Sequence, residues 1–217
     1  MLNGSKILII APHADDEVLG CGGMISKCND TCHIQILVIA NRSDINNKNL
    51  KNEQILQSKK IQDEHHIFYN FFDYSDELLD TVPISEIIKK IELINAAFLP
   101  DYVFIPNIGD INNDHKIIHN ACLIAFRKIQ KNQPNRLIVY EVPSSTTQGE
   151  PFHPNLYIEL SEKNVDDKIK MLYIYSKELR PEPNPRNARG IMVHSQFRGM
   201  ECNKRYAEAF KVLYEIN

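Results

Sequence analysis

The 217-residue chain contains no tryptophan, and no apolar run approaches the roughly 20 residues that a membrane-spanning helix needs, so no transmembrane segment is expected. It also lacks a basic excess. Its 25 Lys and Arg are set against 28 Asp and Glu, for a formal net charge of -3, and nucleic acid is not an expected partner. The first residues, MLNGSKILII, have no separate basic region, long apolar region or small-residue cleavage site. No signal peptide is expected, and the expected location is cytoplasmic. The five cysteines are odd in number and irregularly spaced. Cys28 and Cys32 form CxxxC with no second pair to complete a zinc site, which points to ordinary reduced thiols. There is no internal repeat and no low-complexity stretch. The length suits one domain spanning residues 1–217, and whether copies associate into a homo-oligomer stays open.

What the chain does have is alternation. Strands are expected at Lys6 to Ala11, His33 to Ala40, His66 to Phe72, Tyr102 to Pro106 and Arg136 to Val142. Between them the spacing predicts helices from Gly22 to Cys28, Asn49 to Ile61, Ile84 to Phe98 and Asp114 to Ile129. Strict strand–helix alternation implies an α/β fold, with a mostly parallel sheet covered by helices on both faces. The last third, from about residue 143, reads as loop-rich. A long loop covers Pro143 to Pro154, helices follow at Ser161 to Lys177 and Lys204 to Tyr214, and the Pro- and Arg-rich stretch ELRPEPNPRNARG lies between them. A structureless loop of that kind is often functional.

The chemistry concentrates at the end of the first strand. APHADDEVLGCGG places His13, Asp15, Asp16 and Glu17 within five positions. The carboxyl edge of a parallel sheet is where ligands bind. So many ionisable groups on one tight turn need compensation, which a divalent metal would supply. The two aspartates could equally cap a helix and meet its dipole, with His13 as a hydrogen-bonded loop residue. The glycines do not make a dinucleotide fingerprint, since GCGG is not GxGxxG. A second segment, DINNDHKIIH from Asp110 to His119, follows the fourth strand and repeats the acid–histidine chemistry on the same rim. His115 and His119 share a helix face at i and i+4 but lack the glutamate of HExxH, which favours His115 as ligand and His119 as a neighbour.

The pair PHADDEVLGCGG and DINNDH, with YEVPSST and RYAEAF further on, resembles the LmbE-like (PIG-L) N-deacetylases over nearly the whole chain. The resemblance implies a Rossmann-like three-layer sandwich that removes N-acyl groups from an amino sugar or sugar conjugate. It implies that His13, Asp16 and His115 hold the metal, zinc by preference, although Fe(II) would suit the same ligands. It implies Asp15 as general base and Asp114 as the acidic residue beside the third ligand. Two positions depart from the family pattern. Ala14 replaces a proline of the turn, and Asn112 stands where several members have a catalytic histidine. An Asn amide can donate to an oxyanion but cannot supply a proton.

Further residues belong to the candidate set. Glu141, Ser144 and Ser145 follow the fifth strand and could bind sugar hydroxyls. His153 and His194 could replace the missing histidine or lie at the surface. Arg186, Arg189 and Arg198 could grip an anionic substrate or simply be solvated. Glu17 is expected to hold the turn together, and Tyr206, Phe210 and Leu213 to be core. A metal-dependent phosphoesterase and a carbohydrate-binding homologue without catalysis are the competing expectations, the latter because of Asn112.

Overall fold

A computed structural model describes residues 2–42, 49–129 and 132–216. The first half alternates as β1 (Lys6–Ala11), α1 (Asp16–Cys28), β2 (His33–Asn41), α2 (Asn49–His65), β3 (Phe68–Ser75), α3 (Ile84–Phe98), β4 (Tyr102–Pro106), α4 (Asn113–Ala125) and β5 (Arg136–Tyr140). After it come β6 (Leu156–Leu160), α5 (Glu162–Ile174), α6 (Ala188–Glu201) and β7 (Tyr206–Glu215). All seven strands join one sheet in the order β3-β2-β1-β4-β5-β7-β6. β1 to β5 are parallel, and β7 runs antiparallel to both of its neighbours.

The central strands are apolar on both sides because both sides are covered. In β1, Ile7, Ile9 and Ala11 enter one core with Val18, Met24 and Ile61, while Leu8 and Ile10 enter the other with Ile87, Ile91 and Ile118. Helices α1, α2 and α5 therefore cover one face, and α3 and α4 the other. Each fully buried aliphatic side chain of this kind contributes about 1.5–3 kcal/mol. The strand order reverses between β1 and β4, so the loops leaving these two strands diverge and open a crevice at the carboxyl edge.

The helix expected at Lys204 to Tyr214 is strand β7. Tyr206, Phe210 and Leu213 fit helical spacing, but Tyr206 and Phe210 also share one face of a strand. Both are buried there, whereas Leu213 lies at an irregularity in the β5–β7 register and is 36% exposed. β6 and α6 lie in stretches where no regular element was expected. α1 begins at Asp16, not at Gly22, and so runs straight through the glycine cluster.

Those glycines make room. A Cβ on Gly20 would meet the Tyr140 ring at 2.2 Å, and one on Gly23 would meet Leu160 at 2.4 Å and the Glu208 carboxylate at 3.1 Å. Through this gap a buried ion pair reaches the helix backbone. Glu208 accepts from the amides of Gly23 (2.8 Å) and Met24 (2.7 Å), and Lys168 donates to the Leu19 carbonyl (2.8 Å) and to Glu208 (2.6 Å). The pair pins α1 to α5 and β7 at once. None of the described helices is long and apolar enough to cross a membrane.

Removing one member of a buried pair leaves the other charge uncompensated, at about 3–5 kcal/mol. Lys168→Met should therefore lower the unfolding free energy by about that amount in urea titration. A change below about 1 kcal/mol would show that the pair does not anchor α1.

Candidate metal centre and active site

The crevice between β1 and β4 receives one chemical segment from each side. β1 ends in Pro12-His13-Ala14, and Asp15 then turns the chain into α1 with φ 113° and ψ -26°, a left-handed conformation unfavourable for a residue with a Cβ. Strain of this kind costs about 1–3 kcal/mol and persists only where the surroundings enforce it. Here Glu17 enforces it. Its Oε2 accepts the Asp15 amide at 3.0 Å, while Oε1 accepts the hydroxyls of Tyr69 (2.9 Å) and Tyr175 (2.8 Å). Burial pushes the Glu17 carboxyl up to about 7, against the two tyrosine hydrogen bonds. Asp16 and Glu17 occupy the first turn of α1, where the helix dipole favours negative charge.

On the β4 side, Asn112 caps α4 by accepting the Asp114 amide at 2.8 Å, which sets Asp114 and His115 in the first turn. His13 Nδ1 lies 3.2 Å and His115 Nε2 3.1 Å from the same oxygen, Asp16 Oδ2. The outward nitrogen of each ring meets a further carboxylate. His13 Nε2 is 3.0 Å from Asp114 and 2.9 Å from Asp76, and His115 Nδ1 is 3.2 Å from Asp110. Histidine ligands are typically oriented by a carboxylate in this way.

His13, Asp16 and His115 thus present one donor each within 4.8 Å of one another. The buried Asp16 Oδ1 has no hydrogen-bond partner among the described residues, an expense that a cation would relieve. The local charge has the same sense. Burial opposes the charged imidazole at both histidines but is outweighed by hydrogen bonds and charge from the surrounding carboxylates. His13 is raised well above its ordinary value and His115 to about 9. Asp16, despite burial, is held well below the carboxylate range by His115 and His13. The donor set therefore fits a divalent ion. His13, Asp76 and Asp114 form a second grouping, but it uses the same imidazole. One neutral ring offers one lone pair, so the two groupings cannot be filled together. The first contains the orphaned oxygen, and the second supplies the carboxylates that orient His13.

Asp15 turns away from α1 to meet Arg186, with Oδ2 accepting from Nη1 at 2.8 Å. Burial raises the Asp15 carboxyl well above its usual range, and the Asp16 charge adds to this, against the opposing pull of Arg186. Arg186 also donates from Nε to Ser144 Oγ at 2.8 Å. Ser145 and Thr146 each donate to Asp110 Oδ2 at 2.8 Å, the oxygen that lies 3.2 Å from His115 Nδ1.

Other candidates lie elsewhere. Glu141 is buried and taken up by Arg198 (2.7 Å to each oxygen) and His194 (3.0 Å). Arg189 is exposed and pairs with Glu182. His194 and Arg189 line a separate cavity with Pro143 and Phe197, and His153 is exposed. His119 donates Nδ1–H to the Pro106 carbonyl at 2.8 Å, outside the metal-donor cluster. Sequence reasoning missed Asp76 and gave Asp110 no role. Asp76 also follows a strand on the carboxyl edge, β3, and that repetition was the available signal.

The family model for GlcNAc-PI de-N-acetylases (PIG-L) matches residues 8–126, more than half of the chain. The chain belongs to the PIG-L family. Among curated proteins, none matches it in sequence. Solved structures match over nearly its whole length. A conserved protein of Thermus thermophilus is 22% identical with a TM-score of 0.80, covering 100% of this chain and 97% of that one. N,N'-diacetylchitobiose deacetylase from Pyrococcus horikoshii is 19% identical, with a TM-score of 0.77 and coverage of 96% and 84%. A 4-carboxy-2-hydroxymuconate hydratase from Pseudomonas putida is 14% identical, with a TM-score of 0.75 and coverage of 98% and 98%. At these identities the likeness establishes the fold, and a deacetylase and a hydratase both use it.

Purified protein incubated with zinc should retain about one ion per chain on desalting, and His115→Ala should retain none, by elemental analysis. Asp110→Asn should weaken metal affinity by about 10- to 100-fold, the usual effect of losing the carboxylate behind a ligating histidine. Unchanged zinc retention in His115→Ala would refute the donor set.

Proposed function

We propose that this PIG-L protein is a divalent-metal-dependent N-deacetylase acting on an amino sugar or sugar conjugate. The observation that carries the reading is the position of Asp15. Its carboxyl group sits in one cavity with His13 and Asn112, one residue from Asp16, at the point where the strand order reverses. A bound divalent ion, zinc by preference, would polarise the acyl oxygen and lower the pKa of water at that position.

The chain's own residues do the rest. Asp15 takes a proton from the attacking water as its oxygen bonds to the acyl carbon. It then returns that proton to the sugar nitrogen as the C–N bond breaks, so acetate leaves and the free amine remains. Burial favours this role, because it raises the carboxyl's affinity for a proton toward that of a working base. Arg186 holds the carboxylate in place. Asn112 has its Oδ1 fixed by the Asp114 amide, which leaves its NH2 to donate to the acyl oxygen as charge develops there. Asp114 acts as a positioning residue. It holds His13 Nε2 and accepts the amides of Glu77 and Leu79, tying the segment after β3 to the site.

The two neighbouring aspartates should separate in experiment. Asp15→Asn should keep its metal yet lose about 10²- to 10⁴-fold in kcat on an N-acetyl amino-sugar substrate. Asp16→Ala should lose metal and activity together. Acetate release and metal content on both variants provide the check, and near-normal turnover by Asp15→Asn would remove it as the base.

A further inference from the structure

The hydrolysis proposed above moves a negative charge across the cavity that holds Asp15. Asp15 begins as a carboxylate and becomes neutral when it takes the proton of the attacking water. The charge reappears on the acyl oxygen as the new C–O bond forms. It returns to Asp15 when the C–N bond breaks and the nitrogen takes the proton. Asn112, the donor of this chain assigned so far to the acyl oxygen, is neutral. The cavity, about 170 Å³ in volume, is acidic, with four carboxylates against three guanidiniums among its described lining residues. A developing oxyanion in such a setting gains most from a fixed positive charge beside it.

Two of the guanidiniums are committed elsewhere. Arg42 reaches both oxygens of Glu178 at 3.1 Å, and Arg180 Nη1 donates to the Lys177 and Leu179 carbonyls at 2.7 and 3.0 Å. Arg186 is placed differently. Its Nε donates to Ser144 Oγ and its Nη1 to Asp15 Oδ2, both at 2.8 Å. Nη2 makes no hydrogen bond with the described residues, and solvent reaches it. The two terminal nitrogens of a guanidinium donate side by side, so with Nη1 on the base, Nη2 is the donor next to it. An acyl carbon attacked by the water that Asp15 deprotonates must lie beside Asp15, within reach of that second arm. The fork is also held in advance. Residues 180–187 close on themselves, with the Arg180 amide donating to the Arg186 carbonyl at 2.9 Å, the Arg186 amide to Asn184 Oδ1 at 2.9 Å and Asn187 Nδ2 to the Arg180 carbonyl at 3.2 Å. Gly190 lets this loop sit against α6, since a Cβ there would meet the Pro185 carbonyl oxygen at 2.2 Å. Donors fixed before the reaction cost no reorganisation as charge develops.

We propose that Arg186 is a catalytic residue, whose guanidinium follows the charge from Asp15 to the acyl oxygen and donates to that oxygen through Nη2 as the tetrahedral state forms. The proposal rests on the deacetylase reading. It adds to the holding of Asp15 a direct contact with the reacting group. Arginine stays protonated at every working pH, so Arg186 stabilises charge and the proton for the departing amine still comes from Asp15. Because the charge moves between two partners of one fixed cation, the acidic cavity gains no net charge during the reaction.

Two measurements test it on the full-length, metal-loaded protein, with circular dichroism and zinc content showing that each variant is folded and loaded. The first is acetate release from a panel of N-acetylated amino sugars, free and conjugated. On the sugar that wild type cleaves, Arg186→Gln should lose about 10²- to 10³-fold in kcat with little change in KM, the usual effect of removing one oxyanion donor. Arg186→Lys, which keeps the charge, should recover part of the loss. The second separates contact with the oxyanion from the holding of Asp15. It measures, by isothermal titration, binding of the methylphosphonamidate of the same amino sugar, a stable tetrahedral anion in place of the acetyl group. Adding Arg186→Gln to Asp15→Asn should weaken that analogue by about 10-fold or more while leaving affinity for the uncleaved sugar nearly unchanged. If the double variant binds the analogue as tightly as Asp15→Asn alone, Arg186 acts only through Asp15 and the proposal is overturned. A kcat in Arg186→Gln within about 3-fold of wild type overturns it as well, and the deacetylase reading stands. If no sugar in the panel is cleaved, the deacetylase reading falls and the role of Arg186 falls with it.

Discussion

Three consecutive acidic residues, Asp15, Asp16 and Glu17, are buried at the end of a hydrophobic strand, and the surrounding architecture answers that constraint. Each is compensated differently. Asp16 is met by two histidines, Glu17 by two tyrosine hydroxyls and an amide, and Asp15 by an arginine from the far end of the chain. Their unequal surroundings separate three chemically similar side chains. One is held as a carboxylate, and the other two have a raised affinity for protons. In a low-dielectric setting such differences arise from partner identity more than from residue type.

The parallel half of the fold was readable because its signals are local. The runs KILIIA, HIQILVIA and YVFIP announce strands buried on both faces, and the motifs that follow the first and third of these share the rim where the sheet order reverses. His13, Asp16 and His115 meet there for that reason. What was not readable depends on pairing across long separations. RYAEAF supports a helix and a strand about equally until its partner is known, and β7 pairs with both β5 and β6. The glutamate in that segment looks exposed in a helix, whereas in a strand it shares the face of Tyr206 and Phe210, where it is buried against the backbone of α1.

The same limit applies to the site. Arg186 stood among several loop arginines with nothing in the sequence to distinguish it from Arg189 or Arg198. The structure sends the three to different partners, Asp15, Glu182 and Glu141. Only the first touches the candidate base. Glu141, attractive because it follows a strand on the carboxyl edge, is already saturated by a guanidinium and an imidazole. Position on the rim selects which residues are near, and hydrogen-bond saturation then decides which of them remain available to a ligand.

The contact between Glu208 and the amides of Gly23 and Met24 spans 185 and 184 residues. Before β7 is synthesised, the helix that carries Asp16 and Glu17 has neither the carboxylate nor the strand that clamp it to the sheet. Loop closure over such a separation is among the slow steps of folding, and partly made chains of this kind expose apolar surface while they wait. On the ribosome, the candidate donors His13, Asp16 and His115 are therefore all present by position 115, but the support of the first motif comes only about ninety residues later. The geometry of the first motif is thus tied to β7, so the donor cluster has its full support only once that strand has paired.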